Sequence, residues 1–342
     1  MLEQMEEAWG WTRNDHICNV LPLHHVHGII NVLNTSLWSG AKCTLLPKFD
    51  AGDVWSRLLN DNMEIRPSVF MGVPTVYSKL IDHYDGEEFS GDKDKVKLRM
   101  KRLRLMVSGS AALTEQQFLR WEEITGHRLL ERFGMTEIGM ALTNSYLDGK
   151  ERVPGHVGHP FSGVSAKLLD LASQKIHDEA GEQGELLIRS NCMFDRYLGN
   201  EEATAESFFL DEETGKRWFK TGDLAEKSKD NGLSFRILGR LSQDIIKKQG
   251  YKVSAIEIEH ALLKNEAIKE CSVVGTPHDQ FGEEVVAFVV LKHEQSADKL
   301  EAHARELLSK YKVPRVWKLV DELPKNQMGK VVKAKLKEMA LE

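Results

Sequence analysis

Cysteine is scarce. The chain has four, Cys18, Cys43, Cys192 and Cys271, far apart and without a C-x-x-C pair. That spacing argues for free thiols in a reducing compartment and against a disulfide framework or a cysteine zinc site. Long apolar runs are also lacking: none reaches the roughly 18 residues that a membrane-spanning helix needs. A basic excess is missing as well. With 46 Lys and Arg against 52 Asp and Glu, the net charge is −6, which gives no cationic surface for nucleic acid. No internal repeat or low-complexity tract occurs. The opening stretch "MLEQMEEAWGWTRND" has neither the apolar core of a signal peptide nor the arginine-rich, acid-poor make-up of a transit peptide. It reads as the middle of a helix without a preceding cap, so the chain is expected to start partway into a domain.

What is present is a globular composition: 342 residues, 41% apolar and 29% charged, enough for two or three packed units. Between Ile17 and Leu46, short apolar runs flank a segment with helical spacing around "GIINVLNTSLW". "PSVFMGVP" and "LRLMVSGSA" are continuous apolar runs of strand length ending in small residues, as buried parallel strands do. The helical patterns "TVYSKLIDHY" and "TEQQFLRWEEITG" alternate with them, the second stopped by Gly126. The expected class is therefore α/β with a mainly parallel sheet over residues 1–154. Short strands with glycine turns, "VSAKLLD", "GELLIRS", "WFKTGD" and "GLSFRILG", predict an antiparallel, barrel-like part over 155–239. After "GRLSQD", the expected hinge, residues 240–342 read as a small α+β domain. It opens on a capping box of Ser254 and Glu257 before the helix "AIEIEHALLKN".

Several short stretches could carry chemistry. "LPLHHVHG" holds His24, His25 and His27, but neighbouring positions cannot all converge from a regular element, so a metal is the lesser reading beside a polar pocket wall or ordinary packing. In "VSGSAAL", small residues from Ser108 to Ala112 follow a strand, where open α/β sheets admit ligands; tight packing explains them equally well. "ERFGMTEIG" offers the flat face of Phe133, the close-approach backbone of Gly134, the Thr136 hydroxyl and, in Glu137, a hard oxygen ligand for Mg²⁺. "WFKTGD" sets Asp223 after a strand and a glycine, able to accept from ribose hydroxyls or to serve as a turn aspartate. Arg240 could reach a sugar or phosphate, or pair at the surface. In "PKNQMGK", Lys330 reads by itself as a solvated loop charge.

Taken in order, "LPLHHVHG", "VSGSAAL", "RFGMTE", "WFKTGD", "GRLSQDIIKKQGYKVSAIEIE" and "PKNQMGK" resemble six successive core motifs of the adenylate-forming enzymes. That family comprises acyl-CoA synthetases, luciferases and peptide-synthetase adenylation domains. The resemblance covers essentially the whole chain, and "LERFGMTEIGMALTNSY…RVPGHVGHP" is most similar to malonyl-CoA synthetases. It implies a two-step reaction. A carboxylate attacks the α-phosphorus of ATP to give an acyl-adenylate and pyrophosphate, and the CoA thiol then displaces AMP. The first step concentrates negative charge, so positioned cations and Mg²⁺ are the catalysts it needs.

Carried over by resemblance, the ATP/AMP site comprises Ser108, Gly109, Ser110, Ala111, Arg132, Phe133, Gly134, Met135, Thr136, Asp223 and Arg240. Thr136 corresponds to an α-phosphate contact, Glu137 to the Mg²⁺ ligand and Lys330 to the lysine that bridges the carboxylate and α-phosphate. The small domain of the family turns about its hinge, here with Ser242 where many relatives have aspartate. The turn presents a CoA face carrying Gly250, Tyr251 and Lys252, with Gly250 fitting a backbone packed close to the CoA channel. For a second carboxylate, as in malonate, the acyl pocket needs a cation. Lys79 is the candidate, with a solvated helix lysine as its alternative; His25 and Met140 could line the same pocket.

One family motif is not found. No phosphate-gripping loop of the form S-G-T-T-G-x-P-K occurs, and only 20 residues precede "LPLHHVHG". The resemblance therefore implies the carboxyl-terminal part of an acyl-CoA synthetase. A catalytically inactive product or interaction protein is the alternative, with an exposed face open to a packing partner. Similar malonyl-CoA synthetases act in the mitochondrial matrix, whereas this chain shows no targeting segment, which leaves the cytoplasm open.

Overall fold

Apolar runs of strand length become the strands of a large mixed sheet. A computed structural model describes residues 1–341 except 87–88, 90–91, 148, 150–151, 230–232, 279 and 327–329. Strands β1 (His16–Asn19), β2 (Lys42–Leu45), β3 (Val69–Gly72), β4 (Leu105–Gly109) and β5 (Leu130–Met135) pair in parallel, in the order β2-β1-β3-β4-β5. β6 (Gly139–Thr143) turns back antiparallel on β5, and β7 (His156–Pro160) is antiparallel to β6. β8 (Val164–Leu169), β9 (Ile176–His177), β10 (Gln183–Ser190), β11 (Phe208–Asp211), β12 (Lys216–Lys227) and β13 (Phe235–Arg240) follow. The path continues β7-β13-β12-β10-β8-β9, with β11 beside β12. The glycine-punctuated strands are thus antiparallel, as expected, and they extend the parallel set as one sheet.

By compactness the chain divides into Met1–Thr221 with Glu226–Arg236, and Gly222–Ala225 with Ile237–Glu342. In the first unit, helix Pro74–Asp85 starts with proline at its first turn, where the missing N–H costs nothing. Helix Glu115–Thr125 has a complete capping box between Thr114 and Gln117 and ends at Gly126, φ 76°, a left-handed position that glycine adopts without strain. Both helices bury aromatic residues: Trp121 packs on Tyr77 at 5.0 Å and on Trp55 at 5.5 Å. Burying each such side chain contributes about 1.5–3 kcal/mol. The Tyr77 hydroxyl donates to the Val107 carbonyl at 2.8 Å, so this core fixes β4 one residue before Ser108. The segment read as helical after "LPLHHV" is a π-helix, His27–Asn34, running into a short α-helix, Thr35–Ser39. Such wide turns are rare and cluster at functional sites.

Among the described residues, the second unit holds a separate sheet of five strands. β14 (Ile245–Lys248), β15 (Tyr251–Ser254), β16 (Ile268–His278) and β17 (Gly282–Leu291) lie in the order β15-β14-β17-β16, with β18 (Val316–Leu319) on β17. Helices Ala255–Leu262 and Ala297–Leu307 cover one core of Val253, Ile258, Val273, Val285 and Leu300, while Leu336 of helix Lys333–Leu341 joins Phe288 and Leu323 in another. Only half of the expected capping box forms. Ser254 Oγ accepts from the Glu257 N–H, but the Glu257 carboxylate pairs with Lys312 at 2.6 Å instead. All four cysteines are free. Among the described residues no helix is long and apolar enough to cross a membrane.

Candidate active site

The site builds from the ends of β4 and β5. Their register pairs Ser108 with Glu131 and Gly109 with Arg132. A Cβ on Gly109 would lie 2.6 Å from Arg132 Nε, so the glycine is what lets the guanidinium cross β4. Arg132 Nη2 donates to Ser110 Oγ at 3.2 Å, and the same hydroxyl meets His27 Nδ1 at 3.2 Å. Ser110 sits at φ 70°, a left-handed backbone that costs a non-glycine residue on the order of 1 kcal/mol or more. One π-turn beyond His27, Asn31 Nδ2 donates to Met140 Sδ at 3.1 Å. Gly134 makes room for that methionine, because a Cβ there would lie 2.4 Å from Met140 Cε. Ser108, Gly109, Ser110, Arg132, Gly134 and Met140 are thus gathered, together with His27 and Asn31.

The electrostatics of this cluster are unbalanced. Arg132 is 3% exposed, and burial pushes its guanidinium down to about 9. No carboxylate among the described residues neutralises it, and its Nε has no hydrogen-bond partner. Glu131 cannot help, since successive residues of a strand face opposite sides. On its own side the Glu131 carboxyl is pushed up to about 8 by burial, against the lowering effect of the Gly155 N–H at 2.8 Å. Ser108 Oγ and Asn31 Oδ1 are likewise buried without partners. Native structures leave few polar groups in this condition, and each calls for a reason such as a ligand.

The turn Thr136–Ile138 joins β5 to β6. Thr136 is exposed, and Phe133 and Met135 are half-buried on β5. Glu137 is held from outside the motif: its Oε1 accepts from the Tyr197 hydroxyl at 3.0 Å, and its main-chain carbonyl from the Phe194 N–H at 2.8 Å. Phe194 packs on Tyr197 at 4.7 Å and stacks on Phe208 at 5.6 Å, so an aromatic cluster sets where the tyrosine points. Ala111 is exposed beyond β4. His25 packs edge-to-face on His24 at 5.7 Å; it is His27 that reaches Ser110. Lys79 is exposed over the Phe49 ring at 5.7 Å. It lines a depression of about 490 Å³ with Phe49, Asp50, Ala51, Asp82, His83 and Gly86, none of them a residue of the β4–β5 cluster.

The second unit holds the remaining candidates. β12 runs through to Lys227, so Asp223 lies inside a strand and not after its end, with Gly222 at φ 72° before it. The ladder overrides the turn chemistry of "TGD". Arg240 Nε meets Asp223 Oδ1 at 3.1 Å. Ser242 is exposed in the turn 241–244. Gly250 needs a different explanation from close packing: nothing lies within 4 Å of a Cβ placed on it. With Gln249 at φ 52° and Gly250 at φ 83°, the pair forms the two-residue turn of the β14–β15 hairpin, where positive φ favours glycine. Tyr251 is exposed and stacks on Tyr311 at 4.7 Å, and Lys252 is exposed opposite Lys247. Lys330 is half-buried; its main chain exchanges bonds with Asn326, N–H to Oδ1 at 3.0 Å and carbonyl to N–H at 2.9 Å. Gln327, Met328 and Gly329 of that motif lie outside the described residues.

Residues 1–198 match the model of the AMP-binding enzyme family and 257–330 that of the AMP-binding enzyme C-terminal domain. The chain belongs to the AMP-binding enzyme family. Within that family it is 45% identical over 351 residues to the mitochondrial malonate–CoA ligase ACSF3 of Mus musculus, covering 96% of this chain and 58% of that protein. It is 37% identical to a malonate–CoA ligase of Arabidopsis thaliana, over 98% of this chain and 56% of that one. The chain thus spans somewhat over half the length of these curated relatives. Among solved structures, ATP-bound MatB from Rhodopseudomonas palustris superimposes with a TM-score of 0.86 at 32% identity, over 99% of this chain and 62% of that one. The large mixed sheet and second, smaller sheet are those of an adenylate-forming AMP-binding enzyme.

Proposed function

We propose that the chain acts as an acid–CoA ligase through an acyl-adenylate, with malonate as its acid. The observation that carries this reading is Arg132, a buried cation without a carboxylate partner among the described residues, set beside Ser110 at the ends of the parallel strands. Burying an unpaired charge is costly, and an anionic ligand offsets that cost. Neighbouring Ser108 Oγ and Asn31 Oδ1 add a donor and an acceptor. The relatives named as malonate–CoA ligases support the choice of acid and, from the name of the mouse protein, a mitochondrial location.

In this reading Ser108 to Ala111 and the Arg132 to Met135 stretch, with the face of Phe133, line the adenylate. Asp223 accepts from the ribose hydroxyls beside Arg240. Thr136 contacts the α-phosphate. Lys330 bridges the carboxylate and the α-phosphate as the new bond forms, and Gly250 to Lys252 meet CoA. His25 and Met140 border the acid, and its second carboxylate is met by Arg132 or Lys79. Glu137 suits Mg²⁺, which binds through one or two carboxylates plus substrate phosphates and not an all-protein cage. Bound there, Mg²⁺ would neutralise charge on the phosphates. Tyr197 holds Glu137 in register for it. Tyr197→Phe is expected to raise the Mg²⁺ needed for half-maximal activity by about tenfold, since a hydrogen bond to a charged group contributes ~1.5–3 kcal/mol. A magnesium titration of the variant checks this.

The test of the reading is malonate-dependent ATP–pyrophosphate exchange by the purified chain, with acetate as comparison. Exchange with malonate is expected; none above background from folded protein overturns the reading. Two variants then locate the second carboxylate. Arg132→Met removes an uncompensated buried charge, so it should raise the thermal midpoint while lowering malonate use about tenfold or more relative to acetate. Lys79→Ala should do so only if the exposed depression is the acyl pocket. Equal losses on both acids refute a role for the residue replaced.

A further inference from the structure

The Lys330 loop is pinned at both ends. Lys325 pairs with Glu270 of β16 at 2.5 Å. Beyond the loop, Lys333 Nζ lies 2.6 Å from Asp244 Oδ1 and 2.8 Å from Glu259 Oε1, with all three side chains at most 16% exposed. Neither carboxylate is spare. Asp244 Oδ2 accepts the Arg240 N–H at 2.9 Å, and Glu259 Oε1 accepts the Val273 N–H at 2.7 Å and the Ser272 hydroxyl at 3.2 Å. Between the pins the described residues are joined by main-chain bonds, Val332 N–H to the Pro324 carbonyl at 2.8 Å and Asn326 N–H to the Lys330 carbonyl at 2.9 Å. An unbroken series therefore runs within one unit: Asp223 to Arg240 at 3.1 Å, Arg240 to Asp244, Asp244 to Lys333. Lys333 is three residues from Lys330.

We infer that Lys333 is a positioning residue that locks the Lys330 loop to the turn 241–244 and helix Ala255–Leu262. The reason is geometric. Lys330 sits on a loop, and loops yield unless anchored, whereas adenylation needs its ammonium within a fraction of an ångström of the reacting atoms. A buried cation shared by two carboxylates supplies that anchor. Its ties are to the segment carrying Arg240, so Lys330 and Arg240 keep a fixed relation whatever the second unit does as a body. This inference rests on the ligase reading for its catalytic half; its mechanical half stands on the bonds alone.

The test compares Lys333→Met with Lys333→Arg. Amide hydrogen exchange at Asn326 and Lys330 should rise on the order of tenfold in Lys333→Met and return toward the parental rate in Lys333→Arg. The turnover of pyrophosphate exchange should fall about 100-fold with KM little changed, with partial rescue by arginine. Thioester formation from supplied acyl-adenylate should stay within about twofold, since in the ligase reading that step does not use Lys330. If Lys333→Met fails to fold, Asp244→Asn, which keeps an acceptor for the Arg240 N–H, should show the same effects at smaller size. Unchanged amide exchange in a folded variant overturns the lock; faster exchange with unchanged adenylation overturns the catalytic role. An unsubstituted protein without pyrophosphate exchange defeats the ligase reading instead, and the amide rates still decide the lock.

Discussion

Lys330→Ala is expected to cut malonate-dependent pyrophosphate exchange by about 10²- to 10³-fold, the loss that follows removal of one preorganised charge-stabilising group. Thioester formation from supplied acyl-adenylate should survive. The first step brings a carboxylate against a triphosphate, so repulsion peaks as the oxygen approaches the α-phosphorus, and a lysine ammonium between them is stabilising only there. Once the adenylate exists, that task is finished. The substitution should leave the fold intact, because Asn326 binds the main chain of Lys330, and alanine keeps those bonds. The two half-reactions are measured separately, by labelled pyrophosphate exchange and by CoA consumption with acyl-adenylate. Equal loss in both would sink the division of labour.

Much of this arrangement could be read from the sequence. Continuous apolar runs announced β3 and β4, and the helical spacing of "TEQQFLRWEEITG" with its stop at Gly126 announced a helix with a defined end, because those signals are local. The six motifs pointed to adenylate chemistry, but not to how their residues would be paired. "LLERFGM" puts Glu131 and Arg132 on a strand flanked by others, where both faces are buried; nothing local distinguishes that from an exposed charged pair. His27 was noticed among three histidines, yet which ring turns inward depends on the π-helix. Tyr197 and Lys333 gave no signal: one sits 60 residues from Glu137, and the other is one lysine among several near the carboxyl end. Glu257 matched a capping box until a lysine 55 residues on competed for its carboxylate. Long-range partners, not propensities, decided these cases.

Glu131→Gln should give the largest change in stability, and it should appear as a pH dependence. The carboxyl is raised from 4.5 to about 8 because burial penalises its charged form more than the Gly155 N–H favours it. A group whose folded pKa lies above its unfolded value stabilises fully below the unfolded pKa. That contribution is lost as pH rises through the folded pKa, so stability declines from about pH 4.5 to about pH 8 and is level beyond. At about 1.4 kcal/mol per unit, the span corresponds to a loss on the order of 5 kcal/mol. Glutamine keeps the volume and an acceptor for Gly155 but cannot ionise. The two proteins should therefore unfold alike near pH 4.5, and the variant should be more stable by several kcal/mol at pH 8.5. The quantity to measure is the difference in unfolding free energy between them at each pH. Other shifted groups, among them His16 and His127, whose pKa values burial lowers, contribute to both proteins and cancel. A difference that stays flat from pH 5 to 8.5 would mean that Glu131 is ionised in the fold, against the penalty its burial imposes.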